Sequence, residues 1–359
     1  MTCWPTASAE QAACGITDQY FWMAPTPMNN APMTRRTFLG SACATLAAPP
    51  LLAGAGLRFV HPYGETVLSG PARRVVSIGY STQDPLLALG VVPVGIRYWF
   101  GDFPHGVWPW AQGHLGSAAP VLITGEVSME TVAGLAPDLI VAIGSGISQA
   151  EYELLSRIAP VLMQSPEYST YGSPWQDTTR RIGQAVGKSE LAETLIAEVG
   201  DTFAGLRARH PDWGGRTAAA AWQSGGETGA FLQSDNRAQF LSELGFRPTE
   251  GLARAGASNG FYTTLSPEDL SPLDADLLVW VSAYDQVPDI VNLAMRRTLV
   301  AHRAGREVFA GSLVAGALSF GSVLSLPYAL EQLEDDIAAA LDGDPHTPVA
   351  SAVTAGLAP

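Results

Sequence analysis

Short apolar runs alternate with amphipathic stretches along most of the chain. Runs at 75–80, 92–97, 139–143 and 160–163 read as strands, with helical patterns in the gaps. Strand and helix in alternation predict a parallel sheet. A second series of strands follows at 217–223, 230–233, 277–282 and 307–311. Between the two series the period becomes helical. One helix is predicted from Pro174 to Val186, stopped by Gly187. A second, capped by Ser189, reaches about Arg209 and is closed by His210-Pro211. In it Leu191, Leu195, Ile196, Val199, Phe203 and Leu206 share one face. A last amphipathic helix follows Pro327, with Leu330, Leu333, Ile337 and Leu341 on one side and Glu331, Glu334, Asp335 and Asp336 on the other.

The expected fold is α/β, with two similar lobes built on parallel sheets and joined by a long rigid helix. The expected divisions are 1–55, an N-terminal extension with an export signal; 56–174, the first lobe; 175–210, the linking helices; 211–342, the second lobe; and 343–359, a structureless tail rich in Pro, Ala, Gly and Thr.

One segment occurs twice, which strengthens the two-lobe reading. Residues 128–141 read SMETVAGLAPDLIV and residues 266–279 read SPEDLSPLDADLLV. Each copy predicts a helix capped by its Ser, with a glutamate in the first turn where the helix dipole favours an anion. Each then runs into a strand apolar on both faces. The two glutamates are Glu130 and Glu268. A weaker echo pairs Asp84–Gly90 with Arg237–Gly245, two short helices ending in Leu-Gly.

Composition narrows the function. The apolar share of 47% provides a large core, and the net charge of −14 argues against nucleic-acid binding. Thr34-Arg-Arg-Thr-Phe-Leu-Gly40 is a twin-arginine pattern ahead of an apolar stretch, and Ala53-Gly-Ala55 is a small-x-small cleavage site. Export through the twin-arginine machinery is expected, with Met33 a second candidate start. Alanine stands where a lipoprotein signal would carry its acylated cysteine, so no lipid anchor is expected. Cys3, Cys14 and Cys43 all precede the cleavage site, which excludes disulfides and thiolate metal sites from the processed chain.

Ligands of open α/β sheets bind beyond the carboxyl ends of the strands. Those positions are rich in aromatics: Tyr80, Tyr98, Trp99 and Phe100 in the first lobe; Trp222, Tyr262, Tyr284 and Phe320 in the second. Tyr262 and Phe320 are expected in loops. Arg97 and Arg237 are the arginines best placed to add positive charge. Such walls suit a large, flat or partly aromatic anion. No nucleophile elbow, Walker A loop, dinucleotide fingerprint or zincin motif is present. His105 and His114 share a loop but read as solvent-exposed.

Taken together, Arg74-Val-Val-Ser-Ile-Gly79, Leu87-Ala-Leu-Gly-Val-Val-Pro-Val-Gly-Ile96, Gly125, Leu135-Ala-Pro-Asp-Leu-Ile-Val-Ala142, Val186-Gly-Lys188, Ser234-Asp235, Leu244-Gly-Phe246 and Leu318-Ser-Phe-Gly321 resemble the iron-siderophore and cobalamin branch of solute-binding proteins for ABC importers. The resemblance spans nearly all of 73–342. It implies a non-enzymatic, monomeric, extracytoplasmic protein that holds a ferric siderophore between its lobes and needs no resident cofactor or metal. It also implies that Glu130 and Glu268 dock on arginines of the importer's permease. The ligand-binding residues then expected are Tyr80, Arg97, Tyr98, Trp99, Trp222, Arg237, Tyr262, Tyr284 and Phe320. Haem or cobalamin is the alternative cargo. An exported enzyme acting on an aromatic or glycan substrate is the alternative of another class.

Overall fold

In a computed structural model of the chain, residues 56–258, 260–282 and 287–358 are described. The twin-arginine segment and its cleavage site lie outside them. A hairpin of β1 (Leu57–His61) and β2 (Gly64–Leu68) leads in. The first lobe then alternates β3 (Val75–Ser77), α1 (Gln83–Ala88), β4 (Gly95–Arg97), α2 (Pro109–Leu115), β5 (Val121–Ile123), α3 (Met129–Gly134), β6 (Leu139–Val141), α4 (Gln149–Leu155) and β7 (Val161–Leu162). The strands are all parallel, in the order β5-β4-β3-β6-β7. Both faces are covered: Val75, Leu139 and Val141 pack with Ile182 and Ala185, while Val76 and Ile140 pack with Val132 and Leu155. That explains why these strands are apolar throughout.

The linking helices are α5 (Trp175–Ala185) and α6 (Ser189–Arg209). The 21 residues of α6 span roughly 30 Å. Leu195 packs against the cores of both lobes, so α6 is a spine between them. Its far end is tied to the second lobe by a bidentate pair, Arg209 to Glu334, at 2.8 Å for each bond. Two details differ from expectation. Ser189 opens the helix without capping it, and Leu191 is exposed because the buried stripe narrows to Ala192, Val199, Phe203 and Leu206.

The second lobe contains β8 (Ala218–Ser224), β9 (Glu227–Phe231), α7 (Asn236–Glu243), α8 (Glu250–Arg254), β10 (Tyr262–Leu265), β11 (Leu277–Val281), α9 (Val287–Val291), α10 (Val300–Arg303), β12 (Glu307–Ala310), α11 (Ser312–Phe320), α12 (Ser325–Leu341) and α13 (Ala350–Thr354). Its sheet runs β10-β9-β8-β11-β12, the same positional plan as the first. The repeated segments end in β6 and β11, which occupy equivalent places in their sheets. The second sheet is mixed, where a parallel one was expected. Ser224 pairs with Glu227 across Gly225-Gly226, both at positive φ, and this two-residue turn reverses β9.

Three further corrections follow. The second copy of the repeat forms no helix at its start: Pro267 and Glu268 sit in a turn and the chain resumes as a 3-10 turn at Ser271–Leu273. Pro272 has no N–H to donate and biases Ser271 away from helical geometry, whereas the first copy has Gly134 at that place. Helix α12 begins at Ser325, before Pro327. The segment after Asp342 is ordered: Val349, Ala352 and Leu357 are buried against the lobe, and Arg296 donates to the Leu357 carbonyl at 2.9 Å.

Candidate ligand-binding site

The carboxyl ends of β3 and β4 deliver Tyr80, Arg97, Tyr98 and Trp99. Arg97 lies over the Tyr80 ring at 4.6 Å and donates through Nη1 to the Ser145 carbonyl at 2.8 Å. Its Nε is buried without a partner, and among the described residues it makes no ion pair with a carboxylate. Tyr80 packs on Trp99 at 5.4 Å, and Trp99 packs on Phe320 of the second lobe, also at 5.4 Å. Tyr98 is exposed and takes part in none of these ring contacts, its backbone N–H bonded to the Ile123 carbonyl.

Phe320 ends α11 and is 1% exposed, which corrects its expected place in a loop lining the cleft. Gly321, at φ +50, serves as the left-handed stop. Phe320 inserts into an aromatic cluster with Phe100 and Trp108 of the first lobe. Gly316 makes this possible, because a Cβ there would lie 2.3 Å from the Trp108 ring. Phe320 therefore stands beneath the wall formed by Trp99 and joins the lobes.

Next to Phe320, Ser319 Oγ accepts from Arg237 Nη2 at 2.6 Å. Arg237 Nη1 also donates to both oxygens of Asp235, which caps α7, and its guanidinium lies 4.2 Å from the Phe231 ring centre. A continuous strip of contacts thus runs from Arg97 through Tyr80, Trp99 and Phe320 to Arg237. The two arginines differ electrostatically: Asp235 pairs with Arg237, whereas Arg97 makes no ion pair among the described residues and has only the longer-range pull of Glu151.

A second contact crosses between lobes at Tyr171 and Phe261, 6.3 Å apart. Phe261 meets Tyr262, and Tyr262 meets Trp222 edge-on at 5.6 Å. Tyr262 starts β10, where a loop was expected. Trp222 lies over Gly229, its register partner, where a Cβ would come within 2.4 Å of the indole. Burial raises the Tyr171 phenol above its ordinary value; Tyr80 adds to this and Arg97 opposes it, so the three share one environment. Tyr171 and Phe261 are not among the residues expected from sequence, because their contact joins segments 90 residues apart. Tyr284 lies outside the described residues. His105 and His114 lie apart from the strip, on the 104–106 turn and in the last turn of α2, and no cluster of metal-ligating residues occurs among the described residues.

The family model described as periplasmic binding protein matches residues 75–308, from the first strand of one sheet into the last strand of the other. The chain belongs to the periplasmic binding protein family. It is 27% identical over 222 residues to the Fe(3+)-citrate-binding protein YfmC of Bacillus subtilis, covering 62% of this chain and 67% of that one. It is 32% identical over 156 residues to the Fe(3+) dicitrate-binding periplasmic protein FecB of Escherichia coli, covering 41% and 51%. The structure of a periplasmic solute binding protein from Mycobacterium smegmatis is similar with a TM-score of 0.71 and 33% identity, over 80% of this chain and 99% of that one. The two-lobe α/β architecture is thus that of the family. Among its described residues no helix is long and apolar enough to cross a membrane.

Glu130 and Glu268 are both exposed. Glu130 lies in the first turn of α3, where Ser128 accepts from the Thr131 N–H as cap. Two antiparallel pairings make β10 parallel to β8, so β5 and β10 are equivalent edge strands. Each glutamate follows its edge strand at the carboxyl side of its sheet.

Proposed function

We propose that this protein is the substrate-binding component of an ABC importer and captures an anionic ferric chelate of the siderophore class between its lobes. Ferric citrate is the first candidate, because both sequence relatives are named for it. The observation that carries the reading is Arg97, a guanidinium without a carboxylate partner on an aromatic strip between the lobes of a periplasmic binding protein. Such a group attracts a chelate whose ligand carboxylates outnumber the iron charge, and Tyr80, Trp99, Tyr171 and Tyr262 offer broad contact surface. The iron arrives as cargo, and no resident metal or catalytic group is part of the proposal. The protein acts as a monomer and is exported by the twin-arginine route. A processed chain beginning near Gly56 in the cell envelope is its expected form.

Arg97→Ala is expected to weaken ferric citrate binding by roughly 1–3 kcal/mol, the scale of a lost charge-assisted hydrogen bond. Titration followed by tryptophan emission measures it. Unchanged affinity would remove Arg97 from the site. Arg237→Ala is expected to cost folding stability as well, since it leaves Asp235 buried without its counter-charge.

A further inference from the structure

Behind the aromatic wall, one carboxyl group joins the lobes. Asp84, in the first turn of α1, is 0% exposed. Its Oδ2 accepts from Ser322 Oγ of the second lobe at 2.6 Å and from Trp110 Nε1 of α2 at 2.8 Å. Its Oδ1 is buried without a partner. Ser322 is two residues beyond Phe320 and is fixed by Ser325, whose Oγ accepts from the Ser322 N–H and donates to the Ala317 carbonyl of α11. Trp110 stacks on Trp108 at 4.9 Å, the ring that covers Gly316 of the same helix. The end of α11, with Phe320 and Ser319, is thus tied to Asp84 through Ser322; the two hydrogen bonds favour the carboxylate, and the burial of its charge, with Oδ1 unpartnered, opposes it. We propose that Asp84, Trp110 and Ser322 form a proton-sensitive latch between the lobes, closed while Asp84 holds its proton and loosened when it ionises.

The groups facing Asp84 are few. They are Ser322 from the turn between α11 and α12 and Trp110 from α2; Ser325, the first residue of α12, bonds Ser322, and Gln83 precedes Asp84 on its own helix. Tyr328 of α12 packs on Trp110 at 5.6 Å, the carboxylates of that helix, Glu331, Glu334, Asp335 and Asp336, come about one turn or more later, and His114 at the end of α2 is exposed. No charged group enters the balance. Burial raises the Asp84 carboxyl, the two donors pull it back, and it is left at about 7 against 3.8 in water.

The closed latch thus keeps its proton up to about pH 7, and a latch opened to water releases it near pH 3.8. Protons favour the closed form. As pH rises between these limits, the open-to-closed ratio climbs by up to about tenfold per pH unit. Above pH 7 both forms are ionised and the ratio levels off. The inference rests on the ligand-free chain and holds whichever chelate binds.

The test uses the full chain with Cys3, Cys14 and Cys43 replaced by serine and labels on new cysteines at exposed Leu122 and Val300, one in each lobe. Interlobe distance is followed from pH 4.5 to 8.5, alongside the Trp110 indole N–H resonance. The expected result is an indole resonance that titrates near pH 7 and an open population that rises to about pH 7 and then stays level. Asp84→Asn, neutral and equal in size, should abolish both responses. Ser322→Ala should raise the open population at low pH. An indole resonance that does not move between pH 5 and 8 would overturn the latch, as would an Asp84→Asn protein whose distance still follows pH. If Asp84→Asn fails to fold, the wild-type titration and Ser322→Ala decide.

Discussion

Glu307→Ala is expected to destabilise the protein by about 3–5 kcal/mol, the cost of stranding a buried charge. Glu307 on β12 and Arg296 are each 2% exposed. Glu307 accepts from Trp280 Nε1 at 2.8 Å, from Arg296 Nη1 at 2.6 Å, and bonds His302 Nδ1 at 2.7 Å. Arg296 Nε already lacks a partner. Without the carboxylate, its guanidinium keeps only the imidazole and the Leu357 carbonyl. The segment 343–358, held partly through that carbonyl, should exchange its amides faster. Urea unfolding at unchanged m-value measures the loss. The paired replacement Arg296→Met/Glu307→Leu should recover most of it, because removing both charges leaves none buried alone. A loss below about 1 kcal/mol in Glu307→Ala would show that water reaches this cluster.

The second large effect concerns delivery. Glu130 and Glu268 follow equivalent edge strands and are both exposed, so removing them should leave the fold intact. If they meet permease arginines, α6 fixes their spacing. Reversal to Lys places like charges across the interface and should be worse than Ala. Iron uptake in cells carrying Glu130→Lys/Glu268→Lys should fall by at least tenfold, while the purified protein binds its chelate normally. Unimpaired uptake would remove the docking role. Lost ligand affinity would assign the glutamates to the site or the fold.

The repeat, the spine and the strand positions were legible because each rests on a strong local pattern. The runs Leu139-Ile-Val and Leu277-Leu-Val are apolar on both faces and became β6 and β11. The missed strands lack that signal. In β10, Tyr262-Thr-Thr-Leu265 buries only Thr263, and its order comes from pairing with β9. The reversal of β9 was written in Gly225-Gly226, a two-residue turn that apolar periodicity does not register. The tail has the composition of a linker, yet Val349, Ala352 and Leu357 find a surface that only the folded lobe provides. For the site, Tyr80, Arg97 and Trp99 could be proposed from sequence because they lie at or just beyond the carboxyl ends of strands. The partners of Ser319 and Asp84 were not legible, since they lie 82 and 238 residues away in sequence.

The most direct measurement is a titration of the purified protein with ferric citrate, a ferric catecholate, a ferric hydroxamate, haem and cobalamin, read by quenching of tryptophan emission. Trp99 on the strip and Trp222 beside Tyr262, both half-buried, report on a ligand seated between these contacts. One-to-one, saturable quenching by a ferric chelate, strongest with ferric citrate and absent with iron-free citrate, is the predicted result. Saturable binding of haem or cobalamin alone, with no response to any ferric chelate, would contradict it.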